Sequence, residues 1–297
     1  MDPTIGWELY RSFLGVLREG SLSGAARAMG VTQPTVGRHI AGLERALKVA
    51  LFTRSQTGLT PTEVALALRP YAEGMHATAE ALKRTAESQG DGVKGTVRVT
   101  ASEVVGVEVL PPILARLQAR HPELRIELVI TNRVQNLLRR EADIAVRMAK
   151  PDQDQLIARS VGRVGLGLFA TNAYLAKHGT PETPTELSKH RLIGFDEETP
   201  FLRAARKTWP VWRREAFATR CDSDLAQLAM IRAGGGIGVC QLAVAKRAPS
   251  LVRVLQEHFE IPLDTWLTMH EDLRSSPRCR ATFDGLLKGL QQHVAAA

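Results

Sequence analysis

Apolar residues recur at helical spacing from the start of the chain. Between Trp7 and Arg18, the residues Leu9, Tyr10, Phe13, Leu14, Val16 and Leu17 give a helix one buried face, and Gly20 with Ser21 breaks it. Ser21 or Ser23 can cap a short second helix through Ala25, Ala26, Ala28 and Met29 by accepting backbone N–H bonds of its first turn, and Gly30 ends it. Thr32 then caps a third helix, with Pro34 in the first turn where its missing N–H costs nothing. Ile40, Leu43 and Leu47 pack this helix inward and leave Gln33, Thr35, Arg38 and His39 to project outward. Leu51-Phe52-Thr53-Arg54 and Leu59-Thr60 read as a hairpin around Gly58. Thr60-Pro61-Thr62-Glu63 matches a capping box with proline at the first helical position. It opens a helical run through Leu66, Leu68, Tyr71, Met75, Ala79 and Leu82, about 28 residues and roughly 40 Å long. A rod of that length has no domain of its own to cover its apolar stripe, and pairing with a second copy is the economical solution.

The pattern changes after the hinge-like Gln89-Gly90-Asp91-Gly92. Val97 to Thr100, Ile126 to Ile130 and Ile144 to Val146 read as strands, separated by helical stretches around Leu114 to Arg120 and Val134 to Arg140. This alternation predicts an α/β portion with largely parallel pairing. Gly165 to Ala170, Leu192 to Phe195, Ala216 to Cys221, Ile237 to Cys240 and Thr265 to Met269 supply more strands than one small sheet needs, which predicts two α/β lobes with a cleft between them.

Charge and chemistry narrow the function. The formal charge of +8 favours a polyanionic partner. No window holds the roughly 18 apolar residues of a membrane span, and Met1 to Thr4 does not open a secretion signal, so a cytoplasmic protein without membrane contact is expected. Cys221, Cys240 and Cys279 show neither a disulfide framework nor a zinc spacing. Cys221 and Cys240 leave a redox role open, though the apolar neighbours of Cys240 favour an inert core thiol. Neither HExxH nor GxSxG occurs, so no metal, no catalytic residue and no cofactor are expected. Gly234-Gly235-Gly236-Ile237-Gly238 follows a helix and precedes a strand, the reverse of a dinucleotide fingerprint, and reads as a helix C-terminal turn.

The run Gly20-Ser21-Leu22-Ser23-Gly24-Ala25-Ala26-Arg27, then Val31-Thr32-Gln33-Pro34-Thr35-Val36, Leu51-Phe52-Thr53-Arg54 and Gly58-Leu59-Thr60-Pro61 closely resembles the LysR family. The likeness extends more loosely through Leu110-Pro111, His121-Pro122, Asp143 to Arg147 and Ala233 to Ile237. It implies an α/β protein with an N-terminal all-α winged helix-turn-helix (1–60), a dimerising linker helix (61–90) and a two-lobed, periplasmic-binding-protein-like effector domain (91–297). One lobe is expected over about 91–161 with 267–297, the other over about 162–266. The implied partners are double-stranded DNA at an imperfect palindrome, a small-molecule effector, a homodimer or homotetramer, and RNA polymerase if the protein activates.

Within that frame Gln33 suits adenine, Thr35 a thymine methyl or phosphate, and Arg38 guanine or phosphate. Thr32 and Pro34 set the start of the reading helix, while Ser21, Ser23, Arg27 and Arg54 are expected at the DNA backbone. The family pattern, in which serine usually stands where this chain has Gly37, predicts an altered base preference. By family position the effector site gathers Ser102, Glu103, Thr131, Asn132, Arg147, Phe195, Asp196 and Ser223, each just beyond a strand; Ser223 and Asp224 also suit helix capping. Arg147 and the stretch Arg203, Arg206, Lys207, Arg213 and Arg214 could suit an anionic effector, although such charges more often form a solvated face. An enzyme or transport-type binder with an appended helical module lacks visible apparatus, and a non-specific chromosome binder leaves the long effector portion unused.

Overall fold

Glycines in the left-handed region end the first two helices, as the sequence pattern requires. Helix α1 (Trp7–Glu19) ends at Gly20, α2 (Leu22–Met29) at Gly30, and α3 (Gln33–Leu47) runs on to Lys48. In the computed structural model, which describes residues 5–55, 58–86, 92–132, 137, 141–148, 150–151, 155–198 and 200–295, these helices bury Phe13, Leu14, Val16, Ala25, Val36, Ile40, Leu43 and Leu51 in one core. Burial of each larger side chain contributes about 1.5–3 kcal/mol. Strands β1 (Phe52–Ser55) and β2 (Gly58–Pro61) form the expected antiparallel hairpin. Its docking is specific: Leu59 N–H donates to Gly20 O at 2.8 Å. A Cβ at Gly58, whose φ is +138°, would lie 2.6 Å from that same carbonyl. Only glycine lets the hairpin approach the α1–α2 turn so closely.

Helix α4 (Glu63–Ala86) follows, with Pro70 inside it. Its start corrects the expectation: Pro61 pairs with Phe52 in the hairpin and is not the first helical residue. Thr60 is held opposite Thr53, so the cap passes to Thr62, whose hydroxyl accepts from Ala65 N–H at 3.2 Å and donates to Ala50 O at 2.9 Å.

The chain divides into two units after Ala86. In the second, β3 (Gly95–Ala101), β4 (Leu124–Ile130), β5 (Ile144–Arg147), β6 (Leu156–Thr171), β9 (Gly238–Gln241), β10 (Leu251–Val254) and β11 (Ile261–His270) form one seven-stranded sheet. Its order is β10-β6-β11-β5-β3-β4, with β9 also on β6. Pairing is parallel only for β3 with β4 and β5, and antiparallel around β6 and β11, so the largely parallel sheet expected is a mixed one. The reason is that β6, at 16 residues, and β11, at 10, are long strands that no helical crossover joins in the parallel sense. Their register shifts between Thr265 and Trp266, which pair with Gly162 and Ser160. β7 (Leu192–Gly194) and β8 (Phe217–Arg220) make a separate parallel pair.

Two cores occupy this unit. One gathers Val97, Val99, Ile113, Ile144, Leu267, Phe283 and Leu286 around β3, α5 (Leu110–Arg120) and α10 (Pro277–Ala295). The other gathers Leu168, Tyr174, Leu192, Trp212, Phe217 and Phe259 around α6 (Asn172–His178), α7 (Pro200–Thr208) and the β7–β8 pair. Helix α8 (Asp224–Arg232) ends where Gly234 N–H and Gly235 N–H turn back to Ile231 O and Met230 O, the C-terminal turn expected of the glycine run. The hinge residues 89–91 and the helix expected at Val134 to Arg140, apart from Leu137, lie outside the described residues.

Candidate functional site

Thr32 has an extended backbone, and its hydroxyl accepts from Thr35 N–H at 3.4 Å. It also shares a 2.8 Å hydrogen bond with the Thr35 hydroxyl, so Thr35 is turned into the cap and half-buried. Gln33, Pro34 and Arg38 stand exposed beside it. At the start of α2, Ser21 accepts from Gly24 N–H at 3.1 Å, which leaves Ser23 half-buried and Arg27 exposed. Arg54 is exposed on β1. Arg27, Arg38 and Arg54 form no ion pair among the described residues. With no acidic residue in its first turn, α3 adds a positive helix end to these guanidinium groups.

One expectation fails here. His39 does not project outward: its Nδ1 lies 2.7 Å from the hydroxyl of Ser12, a fully buried residue on α1. A buried hydroxyl needs a partner, and this imidazole supplies it. His39 therefore fixes α3 on α1. Glu44 plays a similar part at the other end of α3, its Oε1 accepting from Leu51 N–H at 2.8 Å and Phe52 N–H at 3.3 Å.

In the second unit, five of the eight residues expected at the effector site come together. Ser102 follows β3 and its carbonyl accepts from Gly106 N–H. Thr131 N–H donates to Ala101 O, and Asn132 Oδ1 accepts from Glu103 N–H at 3.1 Å. Asn132 Nδ2 donates to Asp224 at 2.8 Å. Glu103 Oε2 accepts from the Ser223 hydroxyl at 2.7 Å and from Leu225 N–H at 3.3 Å, so a carboxylate from the end of β3 occupies the N-terminus of α8. Ser223 also caps that helix by accepting from Ala226 N–H at 3.3 Å. Burial, with the nearby Glu103 carboxylate, raises the Asp224 carboxyl above its usual range against the hydrogen bond from Asn132.

The remaining three stand apart. Arg147, at the end of β5, donates to Thr100 Oγ1 at 2.8 Å and to Val146 O at 2.9 Å, and burial lowers its guanidinium below the usual value. Phe195 packs against the core around Trp212. Asp196 is exposed, paired with Arg214 at 2.6 Å, and its N–H donates to Asp222 at 3.0 Å. Asp222 is the organising residue the sequence reading missed, since it also accepts from Glu197 N–H at 2.8 Å; the polar triplet Asp222-Ser223-Asp224 after a strand was the available signal. Within the basic stretch, Arg206 pairs with Glu198 and Arg203 donates to Glu198 O, so these cations and Arg214 are engaged internally. Burial pushes the Cys240 thiol up to about 12, and Cys221 is half-buried.

Residues 7–66 match the family model of the bacterial regulatory helix-turn-helix protein of the lysR family, and residues 90–291 match the LysR substrate binding domain. The chain belongs to the LysR family of transcriptional regulators, a regulator family and not an enzyme family. It is 27% identical over 183 residues to an HTH-type transcriptional regulator of Xanthomonas campestris, covering 62% of this chain and 53% of that protein. It is 30% identical over 199 residues to the regulator CrgA of Neisseria meningitidis, covering 67% of this chain and 65% of that protein. The matched stretch thus spans about half to two thirds of these relatives. The solved structure of CrgA superposes with a TM-score of 0.60 at 25% identity, covering 95% of this chain and 98% of that one. No helix among the described residues is long and apolar enough to cross a membrane.

Proposed function

We propose that the protein binds an imperfect palindrome in duplex DNA as a dimer or tetramer and responds to a small-molecule effector. The observation that carries the DNA reading is the start of α3, where Gln33 and Arg38 stand exposed beside a Thr32-capped first turn that holds no acidic residue. In the major groove Gln33 pairs with adenine and Arg38 with guanine or phosphate. Ser21, Ser23, Arg27, Thr35 and Arg54 then position the domain on the sugar-phosphate backbone. The exposed apolar side chains Val64, Tyr71, Met75 and Leu82 on α4 support the pairing of two copies, which sets two reading helices on successive half-sites.

The effector binds between two lobes, 91–161 with 267–297 and 162–266, at the cluster of Ser102, Glu103, Thr131, Asn132 and Ser223. A core confined to residues between Leu168 and Phe259, with the register shift at Thr265 and Trp266, supports this division. The Glu103 carboxylate at the N-terminus of α8 marks where an anionic effector group would compete. The protein acts in the cytoplasm, and contact with RNA polymerase follows if it activates.

The test compares genomic fragments with random competitor DNA at fixed, near-physiological salt. The intact protein should prefer a palindromic fragment by roughly a thousandfold or more, and Arg38→Ala should remove most of that preference. Equal binding to every fragment would leave only non-specific phosphate attraction and overturn the reading.

A further inference from the structure

An open cavity of about 540 Å³, lined by neither Glu103 nor Asn132, is bordered by α6, the segment before β7, the turn after α8 and Ser250. That volume falls in the range of small-molecule sites. Its charged border is cationic: Lys177, Arg191 and Arg232, with His178 beside them and no acidic side chain among the lining residues. Arg232 is neutralised by a bidentate pair with Glu108 at 2.6 and 3.1 Å. Lys177 and Arg191 form no ion pair among the described residues.

The walls are fixed by the backbone. Asn172 N–H donates to Ser250 O at 3.0 Å, and Thr171 caps α6 by accepting from Tyr174 N–H at 3.2 Å. Arg191 is held on both sides: its N–H donates to the Tyr174 hydroxyl at 2.9 Å and its carbonyl accepts from Ile237 N–H at 2.8 Å. A Cβ at Gly236, whose φ is +157°, would run into that carbonyl, so glycine is required for the approach. The Tyr174 ring lies 4.6 Å from that of His178 and 6.0 Å from that of His190. Positive charge is already crowded here: burial and His178 hold His190 below the usual imidazole range, Glu186 opposes this, and Lys189 adds to it. Like charges gathered on a rigid concave wall repel one another until an anion joins them.

We propose that this cavity is a binding site for a small dianion, bearing either a tetrahedral oxyanion or a pair of carboxylates, held by Lys177 and Arg191 with His178 at the rim. The site is separate from the proposed effector cleft and does not depend on it. An anion bound here engages a cation on α6 and one before β7, and so ties those elements together.

The test is calorimetric titration of the full chain, at neutral pH in low-chloride buffer, with sulfate and with succinate. Sulfate keeps its charge across the working pH range, and the preference between the two probes distinguishes the tetrahedral from the carboxylate source. Saturable binding of at least one probe is expected. Lys177→Gln and Arg191→Gln should each weaken it about tenfold, the loss of one charge-assisted contact. One control keeps the result specific: Lys288→Gln, an exposed lysine on α10, should match the parent. Circular dichroism of the anion-free variants checks that they fold. Absence of binding by both probes overturns the proposal, as does equal weakening by Lys288→Gln. Binding altered by Glu103→Gln but not by Arg191→Gln would place the anion in the cleft and overturn it equally.

Discussion

Gly37 sits in the middle of α3 with ordinary helical geometry, where glycine costs about 1 kcal/mol relative to alanine. An added Cβ would meet only Leu22 Cδ1, at 3.8 Å, an ordinary contact. Nothing in the packing therefore demands glycine. Gly37→Ala should stabilise the chain by about 1 kcal/mol, read as a higher denaturation midpoint with an unchanged slope. A loss of stability would mean that Leu22 cannot accept the contact and that α2 and α3 are packed more tightly than this distance implies. Cys240 is a contrasting residue, since a thiol raised to about 12 by burial stays protonated and unreactive at neutral pH.

Between elements, the end of β3 and the start of α8 are joined by Glu103, Ser223, Asn132 and Asp224. Asp224 contributes a pH dependence whose sign follows from its raised carboxyl. The folded chain holds that proton more tightly than the unfolded chain, so stability falls as pH rises from the usual carboxylate range through the folded value. Asparagine at 224 carries no such proton. The thermal midpoint of Asp224→Asn, measured relative to the parent, should climb as pH is raised from acidic to neutral. Parallel pH curves for the two proteins would show that the carboxylate is not penalised by its burial.

The same elements show what could be read from the sequence. Periodicity and caps made α1 to α3 and the hairpin legible, because their signals lie within a few residues of one another. The Ser12–His39 bond joins residues 27 apart, and no local pattern announces it. The capping residue of α4 was misplaced because Thr60 and Thr62 carry the same side chain, and only the ladder partner Thr53 decides between them. Parallel pairing was inferred from alternating strands and helices, a rule that fails once β6 and β11 run long and pair with each other. Of the residues expected at the effector site, those around Glu103 cluster because they follow neighbouring strand ends, a local signal, whereas Asp222 gains its contacts only through the backbone of Asp196 and Glu197. Helix α10 went unread although Cys279, Phe283, Leu286 and Leu290 give it a clear buried face.

At the scale of the whole molecule, the proposed assembly rests on α4. Val64, Tyr71, Met75 and Leu82 are 42, 62, 42 and 69% exposed, and with Leu68 they follow the spacing of about 3.5 residues that lets two helices share one seam. Four exposed apolar side chains along one edge of a 24-residue helix are costly to leave in water, and a second copy of the same helix offers a complementary surface. A chain that binds a palindrome through two α3 helices needs that partner, because the second half-site is then bound at high effective concentration. The double substitution Met75→Asp with Leu82→Asp places like charges across the seam while leaving the α1–α3 core untouched. Sedimentation velocity should then show the monomer. Affinity for the two-half-site fragment should fall by about a hundredfold or more, while affinity for an isolated half-site stays close to that of the parent. An assembly that survives both substitutions, with circular dichroism reporting an intact helix content, would move the proposed contact off α4 and onto another surface of the chain.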